Sequence, residues 1–262
     1  MTTLPTVFIT GASSGIGATY AERFARRGHD LVLVARDDSR LDKLAGRLRA
    51  ECHVAIEVLP ADLTRPADLA ALETRLREDA RICILINNAG MAQAGEFPGP
   101  KCRGHRTPDH AQHHGADAAR CGDRAALCAA RHGGDRQYWL GGGFRTRVRH
   151  VDLRCTKAFV LFLSQGLNFE LSPKGVYVQA VLPASTRTEI WARAGIDVNT
   201  LPEVMEVGEL VDAALVGFDR RELVTIPALH VAQRWDALEG ARQGLMSDIR
   251  QAHAAERYQP PA

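Results

Sequence analysis

Residues 6–17 read Thr6-Val7-Phe8-Ile9-Thr10-Gly11-Ala12-Ser13-Ser14-Gly15-Ile16-Gly17. Thr6 to Ile9 form a short apolar strand, and a helix is expected from about Ile16 to Arg27. Glycines at 11, 15 and 17 occupy the turn between them. A glycine-rich turn alone says little. Placed between a buried strand and a helix, it lets the backbone turn tightly and approach a pyrophosphate, with the helix's free N–H groups aimed at the negative charge. A βαβ unit of this kind opens a nucleotide-binding sheet.

The pattern continues outward from there. Gly28 is a helix stop, and Leu31–Ala35 is a second apolar strand. Ser39 to Ala50 places Leu41, Leu44 and Leu48 on one helical face. Val54–Leu59 reads as a strand, Pro66 to Glu78 as a helix and Ile82–Ile86 as a strand, followed by Asn87-Asn88-Ala89-Gly90. Further on come a helix from Lys157 to Leu171, a strand at Val176–Leu182 and a lid-like loop with a short helix at Pro183 to Asn199. A helix at Val207–Phe218, a last strand at Leu223–Pro227 and a polar helix from Val231 to Arg257 complete the chain. In that last helix Trp235, Leu238 and Leu245 are expected to point inward. Alternating strands and helices predict an α/β fold: a doubly wound, Rossmann-like parallel sheet in a single domain spanning residues 1–262.

Composition narrows the function. With 262 residues, 45% of them apolar, the chain has ample material for one large core. A net charge of +2 favours neither nucleic acid nor an anionic membrane as partner. No apolar run approaches the roughly 18 residues of a membrane span. The start, Met1-Thr2-Thr3-Leu4-Pro5, lacks the basic and apolar regions of a secretory leader. Six scattered cysteines fit a reducing compartment, so a cytoplasmic location is expected.

These motifs resemble the short-chain dehydrogenase/reductase family. Its pattern is T-G-x-x-x-G-x-G, an acidic residue after the third strand, N-N-A-G, a serine with Tyr-x-x-x-Lys, and P-G-x-x-x-T. The resemblance covers Val7 to Gly95 and Thr156 to about Ile190. It implies an NAD(P)-dependent oxidoreductase that moves hydride between nicotinamide and a small alcohol or carbonyl compound. Gly11, Ser13, Ser14, Gly15, Ile16 and Gly17 would hold the cofactor phosphates and ribose. Asp62 and Leu63 would lie by the adenine ring. Asn88, Ala89 and Gly90 would lie along the cofactor, and Pro183 and Thr188 by the nicotinamide carboxamide. Lys157 matches the catalytic lysine, which binds the ribose and lowers the pKa of the tyrosine. The resemblance also implies a dimer or tetramer when the middle of the chain is intact. No metal is implied. Where an NAD enzyme would place an acidic residue at the tip of the second strand this chain has Ala35; Arg36 follows it, and a guanidinium matches a 2′-phosphate, so NADP is expected over NAD. Asp37 and Asp38 weigh against that expectation.

Residues from about Pro98 to Cys155 break the pattern. They hold six of the ten histidines and four of the six cysteines, with almost no strand or amphipathic-helix signal. Cys102, His105, His110, His113, His114 and Cys121 are zinc-ligand types, but no C-x-x-C pair stands with them, so a metal site is not favoured. A loop insertion is a second reading. The third accounts for most: translation out of frame. Shifting the codons of Asp135 through Cys155 by one base, with the frame restored at Thr156 and Lys157, permits I-V-N-I-G-S-V-V-G-F-A-P-E-F-G-M-S-I-Y-G-A-T-K, a strand followed by the family's serine and Tyr-x-x-x-Lys. The serine falls on Leu140 and the tyrosine on Leu153, at the family's usual separation. The same shift permits the family's helix asparagine at Gln112. As the chain stands, neither leucine carries a proton. This span is expected to be the least ordered part and to replace a helix, the fifth strand and the start of the helix bearing Lys157. Impaired turnover would follow. Genuine loss of both residues, giving a non-catalytic dinucleotide-binding protein, is the alternative.

Overall fold

The computed structural model describes residues 4–90, 136–141, 151–193 and 195–258, with the backbone alone at 136–141 and 151–157. The strands are β1 (Thr6–Thr10), β2 (Leu31–Ala35), β3 (Ile56–Pro60), β4 (Ile82–Asn87), β5 (Arg136–Gly141), β6 (Val176–Val181) and β7 (Val224–Thr225). The helices are α1 (Gly15–Arg26), α2 (Asp38–Cys52), α3 (Pro66–Glu78), α4 (Val151–Leu171), α5 (Ile190–Arg193), α6 (Val207–Asp219) and α7 (Gln233–Asp248). The strands form a sheet in the order β3-β2-β1-β4-β5-β6-β7, every pairing parallel. Strand order reverses between β1 and β4, which opens a crevice at their carboxyl ends.

Burial explains why β1 reads as an unbroken apolar run. All five of its residues are buried. Val7 and Ile9 pack with Tyr20, Phe24, Leu41, Leu48, Leu210 and Leu215 of α1, α2 and α6. Phe8 points the other way, into a cluster with Leu72 and Leu76 of α3 and Val160 and Leu167 of α4. A strand covered on both faces has no polar side to show. Each such fully buried side chain contributes about 1.5–3 kcal/mol. Gly28, with φ of 86°, ends α1: its N–H reaches the Ala25 carbonyl at 2.9 Å, and the His29 N–H reaches Phe24 at 3.1 Å. This paired closure needs the left-handed backbone that glycine adopts without strain.

Two expectations are corrected. First, the anomalous span does contain a strand and a helix start. The backbone of Arg136–Gly141 is β5, with Leu140 in register with Asn87 on one side and Ala180 on the other, and α4 begins at Val151. Backbone pairing is indifferent to side chains, β4 and β6 each offer an edge, and Tyr138 and Trp139 are strand-forming types. The remaining expectations for this span, including the metal reading of Cys102, His105, His110, His113, His114 and Cys121 and the asparagine at Gln112, lie outside the described residues. Second, the last helix ends at Asp248 rather than Arg257, and none of its residues is buried. Trp235 is half-buried, while Leu238 and Leu245 are exposed. Contacts divide the chain into a unit of Met1–Pro227 and a unit of Ala228–Ala262, the latter holding α7 and a short 3₁₀ turn at Glu256–Tyr258. No helix among the described residues is long and apolar enough to cross a membrane.

Candidate active site

The first βα turn and the segment after β4 are built as one piece. Thr10 ends β1, fully buried. Its hydroxyl oxygen accepts from the Asn88 and Ala89 N–H groups, both at 3.0 Å. Its hydroxyl proton points to the Ile86 carbonyl and Asn87 Oδ1, each 3.4 Å away. Asn88 answers with its amide, which donates to the carbonyls of Thr10 at 3.1 Å and Gly11 at 3.3 Å. Asn88 and Ala89 are thereby held against the glycine turn. Thr10 is a site-building residue that the sequence reading passed over except as the first letter of a motif.

The glycines fit this contact. Gly11 has φ of 66°, and a Cβ there would come within 2.9 Å of Ala89 Cα. A Cβ on Gly17 would lie 2.2 Å from the Gly11 carbonyl oxygen and 2.6 Å from Asn88 Nδ2. Side chains at either position would drive α1 off the turn. At Gly15 a Cβ would meet the Thr188 methyl at 3.3 Å, so the loop after β6 also reaches the turn. The structure thus brings Gly11, Gly15, Gly17, Asn88, Ala89 and Thr188 together.

Helix α1 starts without a capping side chain. Ser14 is extended and its side chain makes no capping bond; no acidic residue lies in the first turn. Ser13, Ser14 and Ile16 are half-buried around it. Unsatisfied N–H groups and the positive end of a helix dipole favour an anion. The neighbouring α2 contrasts with it. Asp37 caps that helix by accepting from the Arg40 N–H at 3.0 Å. Arg36, directly before it, is exposed, and among the described residues it has no ion-pair partner. Asp37 is occupied by its own helix and by Arg40, so it does not neutralise Arg36.

Asp62 and Leu63 follow β3. Asp62 Oδ1 accepts from the Thr64 N–H at 3.0 Å, and its own N–H donates to Asp68 at 2.9 Å. One carboxylate oxygen is thereby committed to the local turn, and Leu63 packs on the core. Pro183 lies half-buried just past β6. From there the loop folds on itself: the Arg187 N–H donates to the Met205 carbonyl, the Met205 N–H to Ser185, and Trp191 Nε1 to Thr186 at 2.7 Å. Lys157 lies on α4, four residues after Leu153, and Leu140 lies near the carboxyl end of β5. Their side chains are outside the described residues. No cluster of metal-ligating residues exists among the described ones.

Residues 5–101 match the family model described as short chain dehydrogenase. A short-chain dehydrogenase from Sphingobium yanoikuyae, solved in complex with NADPH, is 66% identical to this chain. It superposes with a TM-score of 0.90, covering 98% of this chain and 100% of that one. The chain belongs to the short-chain dehydrogenase/reductase family. A bulky-bulky ketone specific alcohol dehydrogenase from Comamonas testosteroni is 58% identical, with a TM-score of 0.87 over 99% of this chain and 100% of that one. Among curated proteins, a very-long-chain 3-oxoacyl-CoA reductase of Kluyveromyces lactis is 36% identical over 93 residues. That match spans 34% of this chain and only 26% of the yeast enzyme. The likeness to these dehydrogenases accords with the glycine turn after β1 and with the parallel sheet around it.

Proposed function

We propose that this chain holds NADP(H) across the carboxyl ends of β1 and β4, in a site built for reducing ketones with bulky groups on both sides of the carbonyl, or oxidising the matching alcohols. The observation that carries this reading is the uncapped, acid-free start of α1 beside a turn that Thr10 ties to Asn88 and Ala89. The NADPH-bound relative and the bulky-ketone dehydrogenase support the cofactor and the substrate class.

When bound, the nicotinamide supplies or takes up the hydride. The N–H groups of α1's first turn and Ser13, Ser14 and Ile16 hold the pyrophosphate. Arg36, exposed and unpaired among the described residues, reads the 2′-phosphate. Asp62 and Leu63 border the adenine; Asn88, Ala89 and Gly90 flank the ribose; Pro183 and Thr188 approach the carboxamide. Lys157 holds ribose hydroxyls and, by its charge, would favour an ionised tyrosine one helical turn before it. This chain has Leu153 there, and Leu140 where a serine would steady the carbonyl oxygen. Neither side chain donates a proton, so turnover is expected to be poor although the cofactor binds. We attribute both leucines to an out-of-frame stretch at Pro98–Cys155; the family match ending at residue 101 supports this, and the presence of β5 does not. An intact span would also support a homodimer or tetramer.

A second reading, a dinucleotide-binding protein without catalysis, is favoured by the same two leucines. The nucleotide sequence around codons 97–101 and 154–157 separates the two. Paired compensating indels support the frameshift, and their absence supports genuine loss.

A further inference from the structure

The loop from Ser185 to Glu206 is tied to itself, packs on the core through Met205, and is also held by a side-chain ion pair. Thr188 lies against Gly15 at the start of α1, and Glu189, the next residue, reaches the first turn of α2. Arg40 Nη1 donates to both carboxylate oxygens of Glu189, at 2.9 and 2.8 Å. Arg193 Nη2 donates to Glu189 Oε2 at 2.9 Å, and Arg40 Nε lies 3.4 Å from Asp37 Oδ2. The Arg40–Glu189 side-chain hydrogen bond joins the loop to the β1–β4 half of the sheet. The chain at Thr188–Glu189 therefore runs from the phosphate turn to the helix that follows Arg36. On the dinucleotide reading above, that path would border the adenosine half of the cofactor, beyond Thr188.

We propose that Arg40 and Glu189 are positioning residues that clasp this loop over the adenosine end of the bound dinucleotide and so set how long it stays. The inference rests on the dinucleotide reading above. It assigns Arg40 a role unlike that of Arg36. Arg36 is free to read the 2′-phosphate. Arg40 is already committed to two carboxylates, so it should act on NADP(H) and NAD(H) alike. Both partners are about half exposed and a single guanidinium nitrogen serves both oxygens, which limits the contact to the range of a surface ion pair.

The test uses the whole chain and the variants Arg40→Gln, Arg40→Lys, Glu189→Gln and the Arg40→Gln/Glu189→Gln double. Amide hydrogen exchange is read without nucleotide, and stopped-flow fluorescence follows release of NADPH and of NADH. Faster exchange at Glu189–Arg193 is expected in the glutamine variants, with release of both nucleotides accelerated about 2–10-fold. The double should resemble the worse single, and Arg40→Lys should fall between it and the parent. Should Arg40→Gln weaken NADPH alone while Glu189→Gln does nothing, Arg40 reads phosphate and the clasp is wrong. Unchanged exchange and unchanged release would refute the clasp and leave the dinucleotide reading standing. If the parent chain binds neither nucleotide, both fall, and exchange still shows whether the ion pair holds the loop.

Discussion

Two ends of one crevice differ in how completely their residues agree with their place. At the β1–β4 end, Thr10, Asn88 and the glycines answer one another contact by contact, and the first turn of α1 is left open for an anion. At the β5–α4 end the backbone takes the family's course, but leucines stand at 140 and 153. The difference teaches that a fold can keep a strand in place through its neighbours while losing the side chains that do chemistry. Binding and turnover should therefore come apart in this chain.

The largest effect expected is on turnover. Replacing Pro98–Cys155 by the in-frame peptide should raise ketone reduction with NADPH by about 10²–10⁴-fold, the usual worth of a positioned acid–base group. Leu153→Tyr with Leu140→Ser alone should recover little, because the surrounding side chains remain foreign. Full recovery by the two substitutions would place the defect in the two residues rather than in the segment.

At the intact end, Gly17→Ala should cost about 1–3 kcal/mol of stability, as overpacking does, and should abolish saturable NADPH binding. The 2.2 Å approach to the Gly11 carbonyl leaves no room for a methyl group. Normal melting and normal binding in this variant would break the picture of a turn packed to the atom. Arg36→Ala should weaken NADPH by about 1–3 kcal/mol and NADH much less, as for a lost charge-assisted bond. Equal weakening would remove Arg36 from the 2′-phosphate.

The smallest effect expected lies between the two ends, on the frame that both share. Hydrogen bonding to Arg23 holds the Asp212 carboxyl below its ordinary range. A carboxyl whose folded pKa is depressed stabilises the fold above its unfolded value, near pH 4, and loses that contribution as pH falls through the folded value. Asp212→Asn should thus lower stability at pH 7 by no more than about 1 kcal/mol, given the exposure of the pair, and should matter less below pH 4. Thermal melts at pH 7 and pH 3 check the sign.

Much of this was legible in the sequence where burial is on both faces. β1, β2 and β4 are apolar runs because helices cover both sides of the sheet, and the glycine turn announced itself by composition. What escaped depends on distant partners. The hydroxyl of Thr10 matters through backbone groups 78 and 79 residues away. Arg40 and Glu189 lie 149 residues apart, and exposed charges leave no local pattern. β5 was missed because its place is fixed by the edges of β4 and β6 rather than by its own residues. In α7, apolar residues at helical spacing suggested burial that Leu238 and Leu245 do not have.

The most direct test of the central claim follows NADPH in one cuvette with the unaltered chain and a ketone bearing bulky groups on both sides. Fluorescence should report saturable binding, while absorbance shows almost no consumption of NADPH. Rapid consumption, unslowed by Lys157→Ala, would contradict the account of the β5–α4 end, and absence of saturable binding would contradict that of the β1–β4 end.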